Sequence, residues 1–155
     1  MVDLHIHSMA SDGELTPSQI IDNACQLELD AIALTDHDTV DGLREAMEYS
    51  KNKNIDVIPG IELDTSIKYG KMHILGYYID YISSDLRNIL KIIKKGRDNR
   101  NNKFIDCFKE LGINITLENV RKHSVRTDNR QTSFRTRIIW KRIYFVYSWC
   151  IWYLF

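Results

Sequence analysis

An α/β fold with polar ligands along one rim of its sheet is what this sequence predicts, and three observations carry that prediction. Val2, Leu4 and Ile6 alternate with Asp3, His5 and His7, the period-two pattern of a half-buried strand. Ile20, Ile21, Ala24 and Leu27 recur at helical spacing. Ala31-Ile32-Ala33-Leu34 is short and wholly apolar, as in a strand buried on both faces. Strands alternating with helices point to a parallel sheet or a barrel.

Taken in order, the first strand runs into a loop from Ser8 to Glu14, with Asp12-Gly13 as turn chemistry. Thr16-Pro17-Ser18-Gln19 then opens a helix. Thr16 can cap it, Pro17 suits the first helical position, and Gln19 can reach back as in a capping box. The apolar second strand ends in Thr35-Asp36-His37-Asp38-Thr39, and a helix bearing Leu43, Ala46 and Met47 follows. Asp56 to Pro59 reads as a third strand, continuing through Gly60 into Ile61-Glu62-Leu63, and Met72 to Tyr78 as a fourth containing His73. From Asp85 the pattern is helical only. One stripe is Leu86, Ile89, Leu90 and Ile93; another is Phe104, Cys107, Phe108 and Leu111, stopped at Gly112. Between them the run from Lys94 to Arg100 reads as a solvated helix face or linker rather than a phosphate-binding patch. Thr116-Leu117-Glu118-Asn119 opens another helix.

The polar clusters fall where strands end, and in α/β sheets and barrels ligands bind beyond the carboxyl ends of the strands. His5 and His7, two apart, share a strand face, and Asp12 follows on the loop. With His37, Glu62 and His73 they form a set of nitrogen and carboxylate donors suited to zinc, manganese or iron. So many donors could hold two or three ions, whose chemistry is phosphate-ester hydrolysis. Each residue also has a plainer reading. His73, alone in an apolar strand, reads as a core histidine, and Glu62 equally as an ion-pair partner. Asp36 and Asp38 suit capping of the next helix or orienting His37 better than ligation. Tyr77 and Tyr78 read as packing residues.

Bulk properties narrow the field. The 155 residues suit one domain, with 44% hydrophobic residues to build a core. Lys plus Arg number 21, as do Asp plus Glu, so the balance of charge favours neither duplex nucleic acid nor a membrane surface. Cys25, Cys107 and Cys150 are too far apart for a zinc ribbon or a disulfide framework. No secretory leader precedes Asp3, and the expected compartment is the reducing cytoplasm.

Four blocks, Asp3-Leu4-His5-Ile6-His7-Ser8 with Ser11-Asp12-Gly13, Leu34-Thr35-Asp36-His37-Asp38-Thr39 with Gly42, Gly60-Ile61-Glu62, and His73-Ile74-Leu75-Gly76-Tyr77, resemble in order and spacing the PHP (polymerase and histidinol phosphatase) family. They are closest to its stand-alone phosphoesterases, which act on nucleoside 3′,5′-bisphosphates and short oligonucleotides. The resemblance covers residues 1 to about 123. It implies a distorted (β/α)7 barrel, of which residues 1–84 are the N-terminal part and 85–123 a helical insertion. It implies His5, His7, Asp12, His37, Glu62 and His73 as ligands of two or three divalent ions (Mn2+, Zn2+ or Fe2+). It also implies a small phosphorylated substrate, in particular a nucleotide.

The resemblance stops near residue 124. The family continues with an Arg-Pro-His-Phe-Ala block, a further histidine and a late Asp-x-His, where this chain has Arg130-Gln131-Thr132-Ser133-Phe134-Arg135-Thr136 and an aromatic-rich tail with all three tryptophans, Trp140, Trp149 and Trp152. Reread one nucleotide later, Gln131 to Thr136 can encode Arg-Pro-His-Phe-Ala-Arg. Residues 124–155 are therefore expected to be a frame-shifted or truncated tail, and the chain a phosphoesterase of weak or no activity. The rival is a non-catalytic PHP-like module that binds metal or a partner. The apolar run from Ile143 to Phe155 falls short of the roughly twenty residues of a membrane span and is a better candidate for aggregation.

Overall fold

The computed structural model describes residues 1–68 and 70–121; the tail expected from residue 124 lies outside the described residues. The chain divides into two compact units, Met1–Lys94 and Lys95–Phe155. In the first unit, β1 (Val2–Ile6), α1 (Pro17–Gln26), β2 (Ala31–Leu34), α2 (Leu43–Tyr49), β3 (Asp56–Ile67) and β4 (Gly70–Tyr77) follow one another, with a short 3₁₀ turn at Ser50–Asn52. α3 (Ser84–Glu110) and α4 (Leu117–Arg121) complete the described elements.

The sheet order is β1-β2-β3-β4, with β1, β2 and β3 parallel. β4 pairs with β3 in the antiparallel sense, so the parallel pattern expected of strands alternating with helices ends at β3. The reason is the connection: β3 ends at Ile67 and β4 begins at Gly70, whereas a parallel crossover needs a dozen or more residues. The sheet is strongly curled. On a flat sheet three strand spacings would part β1 and β4 by roughly 14 Å, yet the Tyr77 hydroxyl on β4 donates to the Leu4 carbonyl on β1 at 3.0 Å. This curled α/β sheet is the half-barrel that the sequence predicts. Tyr77, expected only to pack, fastens its two outer strands.

α1 starts as its sequence predicts. Thr16 Oγ1 accepts from the Gln19 amide while Gln19 Oε1 accepts from the Thr16 amide, a complete capping box with Pro17 in the first turn. Ile20, Ile21 and Ala24 are buried against Ile32 and Leu34 of β2, Leu43 and Ala46 of α2, Ile61 of β3 and Leu90 of α3. Leu27 does not join them. It is the C-cap of α1, after which Glu28 turns left-handed (φ 53°), and its side chain is 68% exposed. Of β1, only Ile6 packs on this core; Val2 and Leu4 are exposed, so β1 is less buried than its alternation suggests.

Outside the core, Lys53 reaches Asp22 of α1 at 2.7 Å, and the Tyr49 hydroxyl donates to the same carboxylate. The Lys53 hydrogen bond, then that of Tyr49, lowers the pKa of Asp22. A depressed carboxylate stabilises the fold above its unfolded value near 3.8 and loses that contribution as pH falls through the lower folded value. Asp22→Asn is therefore expected to be destabilising at neutral pH and to converge on wild type in strong acid, read from urea midpoints across pH.

The two apolar stripes belong to one continuous 27-residue helix, and the basic run Lys94 to Arg100, read as a solvated helix face or linker, is part of that helix. Ile89 and Leu111, assigned to those stripes, are exposed. In the second unit Ile105, Phe108, Ile115 and Val120 form a small core. Gly112, at φ 73°, supplies the left-handed residue that ends α3, and Thr116 Oγ1 accepts from the Asn119 amide to cap α4. Among the described residues no helix is long and apolar enough to cross a membrane.

Candidate metal centre

The curl of the sheet turns one face of β1, β3 and β4 inward, and the six candidate donors meet there. On β3, Glu62 and Asp64 share a face by period-two alternation, and His73 of β4 is paired directly with Asp64. His5 lies in β1, where its pairing with β2 is irregular, and His7 just beyond the strand's end, with rings 5.0 Å apart. His37 follows β2 and forms an isolated parallel bridge with Glu62.

Glu62 is the hub. Its side chain is 2% exposed. Oε2 lies 3.0 Å from His5 Nε2, 3.0 Å from His7 Nε2 and 3.3 Å from His37 Nε2, and Oε1 lies 2.5 Å from His73 Nδ1. Asp12 adds a second carboxylate, with Oδ1 3.2 Å from His7 Nδ1 and Oδ2 3.9 Å from His37 Nε2. Burial pushes the Glu62 carboxyl up, but hydrogen bonds from His5 and His73 and the charges of His37 and His7 outweigh it and hold the group below its ordinary value. His7 is raised, chiefly by the Asp12 carboxylate beside its Nδ1, against the opposing effect of burial.

This arrangement fits a divalent metal. Three imidazole nitrogens surround one carboxylate oxygen, which has about two lone-pair sites for donors. Neutral rings turning their lone pairs to that oxygen would repel it unless a cation lay between them. Three overlapping groups, His5–His7–Glu62, His7–Asp12–His37 and His37–Glu62–His73, each bring three ligand atoms within 4.8 Å of one another. Nitrogen and carboxylate oxygen without thiolate is the donor chemistry of zinc, manganese and iron sites.

The loop that carries Asp12 is pinned from below. Asp36, buried at the end of β2, accepts from the Ser8 amide (2.7 Å), Ser8 Oγ (2.6 Å) and Ser11 Oγ (2.5 Å). It thus supports the site through the β1 loop, rather than capping α2 or orienting His37 as its position suggests; the N-cap of α2 is Gly42, without a side-chain hydrogen bond. Asp38 accepts from the Asp64 amide at 3.1 Å and so ties the segment after β2 to β3. Gly13 closes the loop so tightly that a Cβ there would sit 2.0 Å from the His7 carbonyl oxygen. Backbone cannot yield as a side chain end can, so Gly13→Ala is expected to cost about 1–3 kcal/mol or more and to displace Asp12; urea unfolding of the metal-free chain measures the loss.

Asp64 was not among the predicted donors. Its Oδ1 lies 2.9 Å from His37 Nδ1 and 3.6 Å from His73 Nε2. The signal was present in Glu62-Leu63-Asp64, where alternation puts both acids on one face.

Comparison with known proteins gives the family and the fold. The PHP domain family matches residues 3–127. A 3′,5′-nucleoside bisphosphate phosphatase from Chromobacterium violaceum is 41% identical over 96 residues, covering 62% of this chain and 34% of that protein. Among solved structures, an amidohydrolase from Chromobacterium violaceum with bound sulfate and no metal superposes with a TM-score of 0.75 at 30% identity, over 91% of this chain and 50% of that one. A structure from Bifidobacterium adolescentis named as a metal-dependent phosphoesterase gives a TM-score of 0.68 at 26% identity, over 78% of this chain and 42% of its own. The chain thus spans between about a third and a half of these relatives. With the four sequence blocks, the curled sheet and the family match in agreement, this chain belongs to the PHP domain family.

Proposed function

We propose that His5, His7, Asp12, His37, Glu62 and His73 hold two or three divalent ions, and that the chain's chemistry is hydrolysis of phosphate esters. The observation that carries this reading is the overlap of three ligand groups that share His7, His37 and Glu62. Nucleoside 3′,5′-bisphosphates are the substrate class to try first, in keeping with the name of the Chromobacterium relative. Bound divalent ions supply neutralisation of phosphate oxygens and a lowered pKa for water. The residues do the placing. Glu62, fixed on β3, is the shared acceptor at the centre. Asp12 closes one side from a loop that Asp36 holds. His5 and His73, about half exposed, leave the solvent side open to a small substrate. The zero net charge favours a small nucleotide over duplex nucleic acid, and we place the protein in the cytoplasm. Residues 1–84 then form the ligand-bearing part of the barrel and 85–123 a helical insertion.

Metal analysis of the purified chain together with a phosphate-release assay tests the proposal. The expected result is metal uptake with at most weak phosphate release from a nucleoside 3′,5′-bisphosphate, which EDTA abolishes. Bound manganese or zinc without turnover supports the second reading, a non-catalytic metal-binding module, which the lack of an Arg-Pro-His-Phe-Ala block favours. A chain that takes up none of the three metals sinks both readings.

A further inference from the structure

We propose that Asp64 is a positioning residue that fixes the ring of His37 with its hydrogen on Nδ1, so that Nε2 is presented to the centre. The proposal rests on the metal reading above. An imidazole binds a metal through a deprotonated nitrogen, and the hydrogen bond made by the other nitrogen decides which one that is. His37 Nδ1 is buried and its ring 10% exposed; Asp64 Oδ1 lies 2.9 Å away, within reach but not aligned as a hydrogen bond, so that a small turn of either side chain completes one. Nε2 of the same ring faces Glu62 Oε2 at 3.3 Å and Asp12 Oδ2 at 3.9 Å. The two nitrogens thus look toward different carboxylates, one at the centre of the cluster and one at its rim.

Asp64 is itself held in place. Its amide donates to Asp38 Oδ1 at 3.1 Å. The Asp38 amide donates to the Glu62 carbonyl at 2.8 Å, and the Glu62 amide to the Asp36 carbonyl at 3.2 Å. Asp38 is buried and left-handed (φ 51°). This laces residues 36–38 to 62–64, so that His37 and the carboxylate beside it are carried on one braced unit. At 44% exposure, the Asp64 side chain can be altered without opening the core.

The test compares wild type, Asp64→Ala and Asp64→Asn. Nitrogen-15 NMR of the metal-free chain at about pH 8, where an ordinary imidazole is neutral, reads the His37 tautomer. Chelator competition reads the affinity for Zn2+. Wild type is expected to carry the hydrogen on Nδ1. Asp64→Ala is expected to shift it toward Nε2 and to weaken zinc binding about 10–100-fold. Asp64→Asn, whose side-chain oxygen can accept the same hydrogen, is expected to restore both. An Ala variant with unchanged tautomer, or with zinc affinity within about two-fold of wild type, overturns the role of Asp64; so does an Asn variant that behaves like Ala. Failure of the wild-type chain to take up zinc overturns the metal reading instead, a result separable from the tautomer measurement.

Discussion

Glu62→Gln is expected to abolish metal uptake and with it any phosphate release. Glu62 is the residue on which four imidazoles converge, at 3.0, 3.0, 3.3 and 2.5 Å. Two of the three ligand groups contain it. Gln keeps the shape but removes the charge and turns an amide donor toward rings whose lone pairs would face a cation. Residues that merely orient ligands cost about 10–100-fold in metal affinity when changed, so loss of this shared ligand should cost at least about 100-fold. Thermal unfolding offers a direct measurement. Metal at about 100 times its dissociation constant stabilises a folded protein by about 2.7 kcal/mol, which for a chain of this size raises Tm by roughly 5–10 °C. Wild type should show that rise and lose it on addition of EDTA, while Glu62→Gln should show almost none at the same metal concentration. A variant that keeps the wild-type rise would remove Glu62 from the centre.

Asp36→Ala should have the largest effect on stability. The substitution takes the acceptor from three donors at once, the Ser8 amide, Ser8 Oγ and Ser11 Oγ. Ser8 and Ser11 are fully buried, so water cannot easily replace the lost partner. A buried donor left without an acceptor costs about 1–3 kcal/mol. Allowing for partial relaxation of the loop, the expected loss is about 3–5 kcal/mol, a large part of the 5–15 kcal/mol typical of a folded protein. Asp36→Asn retains one carboxamide oxygen and should fall between the variant and wild type. Urea unfolding in the presence of EDTA isolates this effect from metal binding. In the metal-bound chain the same change should also weaken affinity, because Ser11 and Asp12 share the released loop. Wild-type stability in Asp36→Ala would mean that Asp36 does not anchor the loop.

The two variants separate what is local from what is assembled. Local chemistry was legible: Thr16, Pro17 and Gln19 spell the start of α1, and the capping box forms as written. Gly112 ends α3 where the apolar stripe runs out. Likewise the ligand types could be read from composition and spacing, because imidazole and carboxylate at strand ends are rarely placed there for packing alone. Where the reading failed, it concerned contacts between elements. Nothing local in Leu27 distinguishes a buried stripe position from an exposed C-cap; the turn at Glu28 decides it. Period-two alternation in β1 predicts burial of Val2 and Leu4, but burial depends on what lies across from them.

Sequence by itself determined the element types, the four motif blocks and the six candidate donors. Those depend on side-chain chemistry and on the periods of helix and strand, which are properties of neighbouring residues. Tertiary structure alone decided that β4 returns antiparallel, that Tyr77 closes the curl onto Leu4, that Asp36 serves the β1 loop, and that Asp64 stands behind His37. Each of these is a contact between residues 25 to 73 positions apart or, for β4, the outcome of a short connection. Their geometry is set by sheet curvature and loop closure, which no local pattern in the chain encodes.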